Sequence, residues 1–505
     1  MRRQHDLILS SLLRTVGASA FILAVCPTNA DAQRRDEFYW LSEMNKASAV
    51  MVVEQQIVPK SLGAQIAKAV SQVIADQAKP GAARSRDYLQ VEQLLIAVGG
   101  PDVTRIHSGR SRQDIGSTSR RLFLRDDLLA AFYSLNNARD VLIGMAAEHP
   151  NAIVPAYTWG VQAQPVSFGH YMLAYAESLT RNAERLRQAW VRLNMSPLGA
   201  AALGTSSFPV NRPRLAELLG FDGVVENSLD ANQISPIDTG AELAGVAAAG
   251  ALTINTMLAD ITAQYAQTKP WLMLAEGDLT GISSIMPQKR NPTGMVGLRT
   301  QASKVIGEAQ TFMILAHNVA AGMGDYKGDQ PDIVLRDAAG MFESFAALMK
   351  TFVFDEARAL AEVNADYSTT TELADTLQRV ADVPFRVGHH FASDLVNYGR
   401  SNNLKPAEIP YREAQRIYTE VAKLFRMDNA QLPLDEAQFR RSLTAENMVQ
   451  TSQGLGGPQP AEVARMIAAE KARLAADREW LGATQAKLAN ASKKLDEAFA
   501  QLLKP

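Results

Sequence analysis

The 505 residues exceed one ordinary domain and suffice for two to four with full cores. With 47% hydrophobic and 21% charged residues and no long low-complexity tract, a disordered or fibrous chain is excluded. The 51 Lys+Arg against 53 Asp+Glu leave a formal charge of -2, so no global charge draws the chain to nucleic acid or an anionic membrane. One cysteine and seven histidines make an internal disulfide impossible and argue against a Cys/His zinc site.

The N-terminal segment reads as an export signal. Arg2 and Arg3 precede the apolar run TVGASAFILAVC, and Ala30-Asp31-Ala32 supplies small residues at cleavage spacing, predicting removal of residues 1–32 before Gln33 and a periplasmic or secreted product. Cleavage also removes Cys26, leaving a mature chain without cysteine. No later stretch reaches 18 uninterrupted apolar residues, so no membrane association beyond the signal is expected.

Beyond the signal, apolar residues recur at helical spacing in VEQQIVPKSLGAQIAKAVSQVIADQ, DYLQVEQLLIAVGG and FLRDDLLAAFYSLNNARDVLIGMAAEH. The segments 240–265 and 304–322 are apolar on so many faces that they need protein on several sides. This pattern predicts a mainly α protein with a bundle of long central helices that associate between subunits. Polar punctuation places an N-terminal helical domain at 33–125, a central bundle at 126–379 and a C-terminal domain with a long terminal helix at 380–505. In that last helix Ile467, Leu474, Leu481, Leu488, Leu495 and Leu502 form one stripe, which predicts packing against the body or another subunit.

Two polar islands carry the sharpest chemistry. GISSIMPQKRNP at 281–292 sets Ser283 and Ser284 behind glycines, with Met286 between them and Lys289 and Asn291. A serine held as an alkoxide by donors and positive charge serves as a general base, and Lys289 and Asn291 then stabilise a carboxylate that gains charge as its neighbouring carbon is deprotonated. HSGRSRQD at 107–114 places Ser111, Arg112 and Gln113 beside Gly109, a set suited to clamping a dicarboxylate.

GISSIMPQKRNP resembles the signature loop of the fumarase/aspartase superfamily, and HSGRSRQD is similar to the corresponding segment of argininosuccinate lyases. So are residues 205–231, YSTTTELAD at 367–375, PFRVGHH at 384–390 and GGPQPAEV at 456–463. The resemblance implies a three-domain, mainly α subunit and a homotetramer whose active sites gather segments of different subunits. It also implies release of fumarate from a succinyl unit without an organic cofactor; separately, no metal site is assigned in the sequence. It assigns proton abstraction to Ser283, stabilisation to Lys289 and Asn291, and substrate contacts to Ser111, Arg112, Gln113, Thr158, Gln164, Ser284, Met286, Lys327 and Gln330.

Departures cluster on one half of that pocket. The histidine of the family's YTH segment, commonly the acid for the leaving nitrogen, is Trp159 here, and the glutamate that partners it is Val296. Indole cannot donate its ring proton as an acid near neutral pH. Val161 replaces the first glutamine of QxAQP; Asp325 and Ile333 replace a tyrosine and a lysine of YNKDLQEDK; NQISPID follows NSLDA in place of an SDRD-like stretch. His107 and His389 are the alternative acids, or structural residues. These features predict a C–N lyase that splits an N-substituted aspartate with an altered leaving amine. The competing readings are ordinary argininosuccinate cleavage with a relocated acid and a non-catalytic binding protein on the same fold.

Overall fold

The structure, a computed structural model, describes residues 35–504, and residues 37–505 group as one compact unit. The expected signal segment lies outside the described residues. Helices α1 (Glu37–Glu54), α2 (Lys60–Gln77) and α3 (Tyr88–Gly99) precede α4 (Arg112–Glu148). A hairpin of β1 (Ile153–Thr158) and β2 (Val161–Ser167) leads to α5 (Phe168–Leu193). Then β3 (Met195–Ser196), α6 (Arg212–Leu218), β4 (Gly223–Val224) and α7 (Ser235–Tyr265) follow, with β3 and β4 paired in parallel.

A second hairpin, β6 (Gly281–Ile282) with β7 (Arg290–Asn291), comes after β5 (Leu272–Leu274). The long helices α8 (Thr293–Ala316) and α9 (Gln330–Met349) precede β8 (Phe352–Phe354), the antiparallel partner of β5. The chain ends through α10 (Glu356–Val363), α11 (Thr370–Ala381), α12 (Phe385–Ser401), α13 (Tyr411–Leu424), α14 (Glu436–Ser442), α15 (Ala445–Thr451) and α16 (Pro460–Leu502). All four described sheets are two-stranded, so the architecture is mainly α.

Three large cores organise these elements. The central one packs α4, α5, α7, α8 and α9 through Phe132, Phe168, Phe312, Phe342 and Phe345, each buried; full burial of such a side chain contributes about 1.5–3 kcal/mol. A second joins α1, α2, α3 and α6 to the start of α4. The third runs from Tyr367 to Leu443 and therefore begins inside the segment assigned to the central domain at 126–379.

Helix α16 does not join the third core. Pro460 opens it, with Gln459 accepting from the Ala461 N–H at 2.9 Å. At 43 residues it extends about 65 Å. Leu474 and Leu481 enter the central core while Leu495 and Phe499 enter the second, so the seven-residue stripe buckles two cores of the same subunit together.

Candidate active site

The segment 281–292 is a short β-hairpin. Gly281 pairs with Asn291 and Ile282 with Arg290, leaving residues 283–289 as its tip. A side chain at Gly281 would meet Thr293 Cγ2 at 2.8 Å, so glycine lets the strand lie on the start of α8. Inside the tip the Met286 N–H donates to Ser283 Oγ at 3.2 Å, and the Lys289 N–H donates to the Met286 carbonyl at 3.1 Å. Arg290 pins the base by donating to Glu276 at 2.8 Å and to the Pro287 carbonyl at 2.7 Å. Ser283 is half-buried, whereas Ser284, Met286 and Lys289 are exposed. The side chains of Lys289 and Asn291 bond to no other described residue, so both remain available to a ligand.

The other island builds the start of α4. Gly109 adopts a φ of +74°, and a side chain there would strike Val210 Cγ2 at 2.2 Å. Ser111 caps the helix, its Oγ accepting from the Gln113 N–H at 3.3 Å, while the Ser111 N–H donates to Asp114 Oδ1 at 2.7 Å. The other Asp114 oxygen accepts from the Gly199 and Ala201 N–H groups at 2.8 and 3.1 Å. Burial pushes the Asp114 carboxyl up to about 6 against the pull of these donors and of Arg110. The aspartate thus ties the 199–201 turn to the helix that carries Ser111, Arg112 and Gln113. Arg112 points outward, 3.8 Å from Asp87.

The same turn is gripped from its other side. Residues 230–234 form a π-turn leading into α7, in which Asn232 Nδ2 donates to the Ala201 and Ala202 carbonyls at 2.8 and 3.1 Å. Gln233, beside it, accepts from Lys327 Nζ, and Lys327 also donates to Gln113 Oε1 at 3.0 Å. Gln113 and Lys327, 214 positions apart, therefore meet within one subunit. Gln330 does not join them, since its amide donates to the Glu308 carbonyl at 3.3 Å and to the Glu308 carboxylate on α8.

Thr158 and Gln164 lie exposed on the β1–β2 hairpin. Its two-residue turn places Trp159 at φ +56° and Gly160 at +74°, the pair of positive values a type I′ turn requires. A left-handed tryptophan costs about 1–2 kcal/mol, and this one is 102% exposed. The hairpin is held firmly: Gln162 Nε2 donates to the Val363 carbonyl at 3.1 Å and to Ser368 Oγ at 3.2 Å. Ser368 belongs to the YSTTTELAD segment, which thus supports the hairpin that presents Thr158.

His107 sits among second-core residues, 2.9 Å from the Tyr88 hydroxyl and stacked on its ring. Buried Arg110 donates to the same hydroxyl at 2.8 Å. Burial and the Arg110 charge pull the His107 imidazole down to about 4, so it is neutral near pH 7 and fits the structural alternative. His389 is exposed on α12, with Phe385 at 6.0 Å between ring centres. No hydrogen bond or ion pair joins the signature hairpin, the α4 start and the Thr158 hairpin among the described residues; the intrasubunit constellation is Ser111, Gln113 and Lys327. Asp114, Asn232 and Gln233 went unassigned in the sequence, although Asp114 ends HSGRSRQD and the other two directly follow NSLDA. Among the described residues no cluster of three or more His, Cys, Asp or Glu is placed to hold a metal ion.

A family described as lyase matches residues 30–307, more than half of the chain, and the argininosuccinate lyase C-terminal family matches residues 367–450. Among solved structures, EDDS lyase in complex with formate is 27% identical, covers 94% of this chain and 94% of its own, and superposes with a TM-score of 0.82. A substituted EDDS lyase with bound fumarate has the same identity and coverage and a TM-score of 0.83. Class II fumarase from Schistosoma mansoni, 16% identical over 82% of this chain and 90% of its own, shares the fold with a TM-score of 0.62. The signature hairpin, the α4 start and these matches agree, and the chain belongs to the lyase family of the fumarase/aspartase superfamily.

Proposed function

We propose that the protein is a carbon–nitrogen lyase that splits an N-substituted aspartate into fumarate and an amine. The carrying observation is the intact hairpin: Ser283 half-buried, with Lys289 and Asn291 bonded to no other described side chain. The 27% identity to EDDS lyase, which binds fumarate in a variant form, supports this reading. In the proposed cycle Ser283 Oγ, held as an alkoxide, takes the proton from the carbon next to one carboxylate. The electron pair moves into that carboxylate, where Lys289 and Asn291 meet the second negative charge; one positioned donor supplies about 2–4 kcal/mol. Collapse of this intermediate breaks the C–N bond and forms the fumarate double bond. No organic cofactor takes part in this proposal.

Trp159 and Val296 support a changed leaving group. An alkylated amine on aspartate is a secondary ammonium near pH 7 and departs as a neutral amine carrying its own proton, so an indole in place of an acid is no handicap. Loss of both members of the family's His–carboxylate pair is coherent, because one survivor would sit without its partner. A panel of N-substituted aspartates, followed by fumarate absorbance, tests this reading. Turnover of argininosuccinate is expected to be about 100-fold or more below the best panel member, the scale of a missing general acid. Trp159→His alone leaves it low; adding Val296→Glu raises it. Rapid wild-type cleavage of argininosuccinate defeats the altered-specificity reading.

Export and assembly belong to the same proposal. Exposed Leu252 on α7 and exposed Val296 and Ile314 on α8 support packing of the central helices into a homotetramer. There Trp159 and Thr158 of one copy meet Ser283 of another. One preparation tests both points: the mature protein begins at or near Gln33 and lies outside the cytoplasm, and light scattering reports four subunit masses. An intact Met1 in a cytoplasmic fraction removes the export claim, and a fully active monomer removes the shared site.

A further inference from the structure

Lys327 is a cation held by neutral groups. Its ammonium donates to two amide oxygens, Gln113 Oε1 and Gln233 Oε1, and no described carboxylate pairs with it. Burial and the nearby Arg120 charge pull its pKa below the ordinary lysine value, the direction of a charge lacking a counter-ion. A carboxylate at position 113 or 233 would cancel the charge. Two amide oxygens instead direct two N–H bonds and leave the third, with the full charge, for a ligand.

Gln233 is held through both its backbone and its side chain. The residue is 3% exposed. Its backbone carbonyl accepts from the Tyr326 hydroxyl at 2.8 Å, and that hydroxyl accepts from the Gly322 N–H at 2.7 Å. Its side-chain nitrogen donates to the Ala202 carbonyl at 3.4 Å. Ala202 belongs to the turn that Asp114 anchors to the start of α4, the helix that presents Gln113. Both amides that hold Lys327 are therefore referenced to one turn, which keeps the ammonium from collapsing onto either.

We propose that Gln233 is a positioning residue which, with Gln113, holds Lys327 as the receptor for one carboxylate of the dicarboxylate substrate or product. This rests on the lyase reading and names a residue that the NQISPID departure places beside the retained lysine. Titration calorimetry with fumarate on the assembled protein tests it through wild type, Gln233→Met, Lys327→Met and the double variant. Methionine matches the length of glutamine and removes both the acceptor for Lys327 and the donor to the Ala202 carbonyl, and thermal melts confirm that each variant folds. Gln233→Met is expected to weaken fumarate binding about tenfold and Lys327→Met more, with the double variant no weaker than Lys327→Met alone, because Gln233 acts through Lys327. Unchanged binding by Gln233→Met, or an undiminished Gln233 effect in the Lys327→Met background, overturns the positioning role and leaves the lyase reading standing. A wild-type protein that binds no fumarate overturns both.

Discussion

Replacing Ser283 by alanine lowers kcat for fumarate release by about 10³-fold, with KM for the best N-substituted aspartate changed only a few-fold. The hydroxyl makes one described contact, accepting from the Met286 N–H at 3.2 Å at the exposed tip of the hairpin. Its loss therefore leaves the pairing of Gly281 with Asn291 and Ile282 with Arg290 intact. The proton beside a carboxylate is barely acidic in water, so the base contributes to the transition state far more than to binding. Steady-state kinetics with circular dichroism on the same sample separates the two. Fumarate release at the wild-type rate by a folded Ser283→Ala protein removes Ser283 from the role of base.

Asp477→Ala is expected to destabilise the protein by about 3–5 kcal/mol, the cost of stranding a buried charge. Arg139 on α4 is fully buried, and its strongest contact is the donation to Asp477 on α16 at 2.5 Å. Without Asp477 its charge retains the Asn136 oxygen at 2.8 Å and Glu470 at 3.9 Å. Arg139→Met costs less than half as much, because Arg187 still reaches Asp477 at 3.1 Å and Arg473 still reaches Glu470 at 2.6 Å. Urea unfolding at one fixed subunit concentration measures both, since assembly couples apparent stability to concentration. Equal losses from the two substitutions contradict the asymmetry. The clasp bears on function because α16 ties the core beneath the α4 start to the central bundle.

Much of this was legible along the chain because helices announce themselves locally. The apolar spacing read in residues 123–149 is that of α4, which ends at Glu148, and the Leu474–Leu481–Leu495 stripe is the buried face of α16. Ser283, Lys289 and Asn291 lie within nine consecutive residues, so their chemistry was readable together. Only tertiary structure placed Lys327 against Gln113 and Gln233, since a hydrogen bond across 214 positions leaves no periodic signal. The burial that raises Asp114 and depresses His107 was equally hidden, because solvation depends on what other segments bring alongside a residue. The left-handed conformation of Trp159 was concealed too: tryptophan disfavours it by itself, and the register of β1 on β2 imposes it. Composition and spacing thus determined a helical protein with a serine-bearing loop, and the resemblance of its motifs implied a lyase. Folding decided that the Lys327 ammonium rests on two amide oxygens with no described carboxylate beside it, because charge without a counter-ion is a property of a place in space and not of a place in the chain.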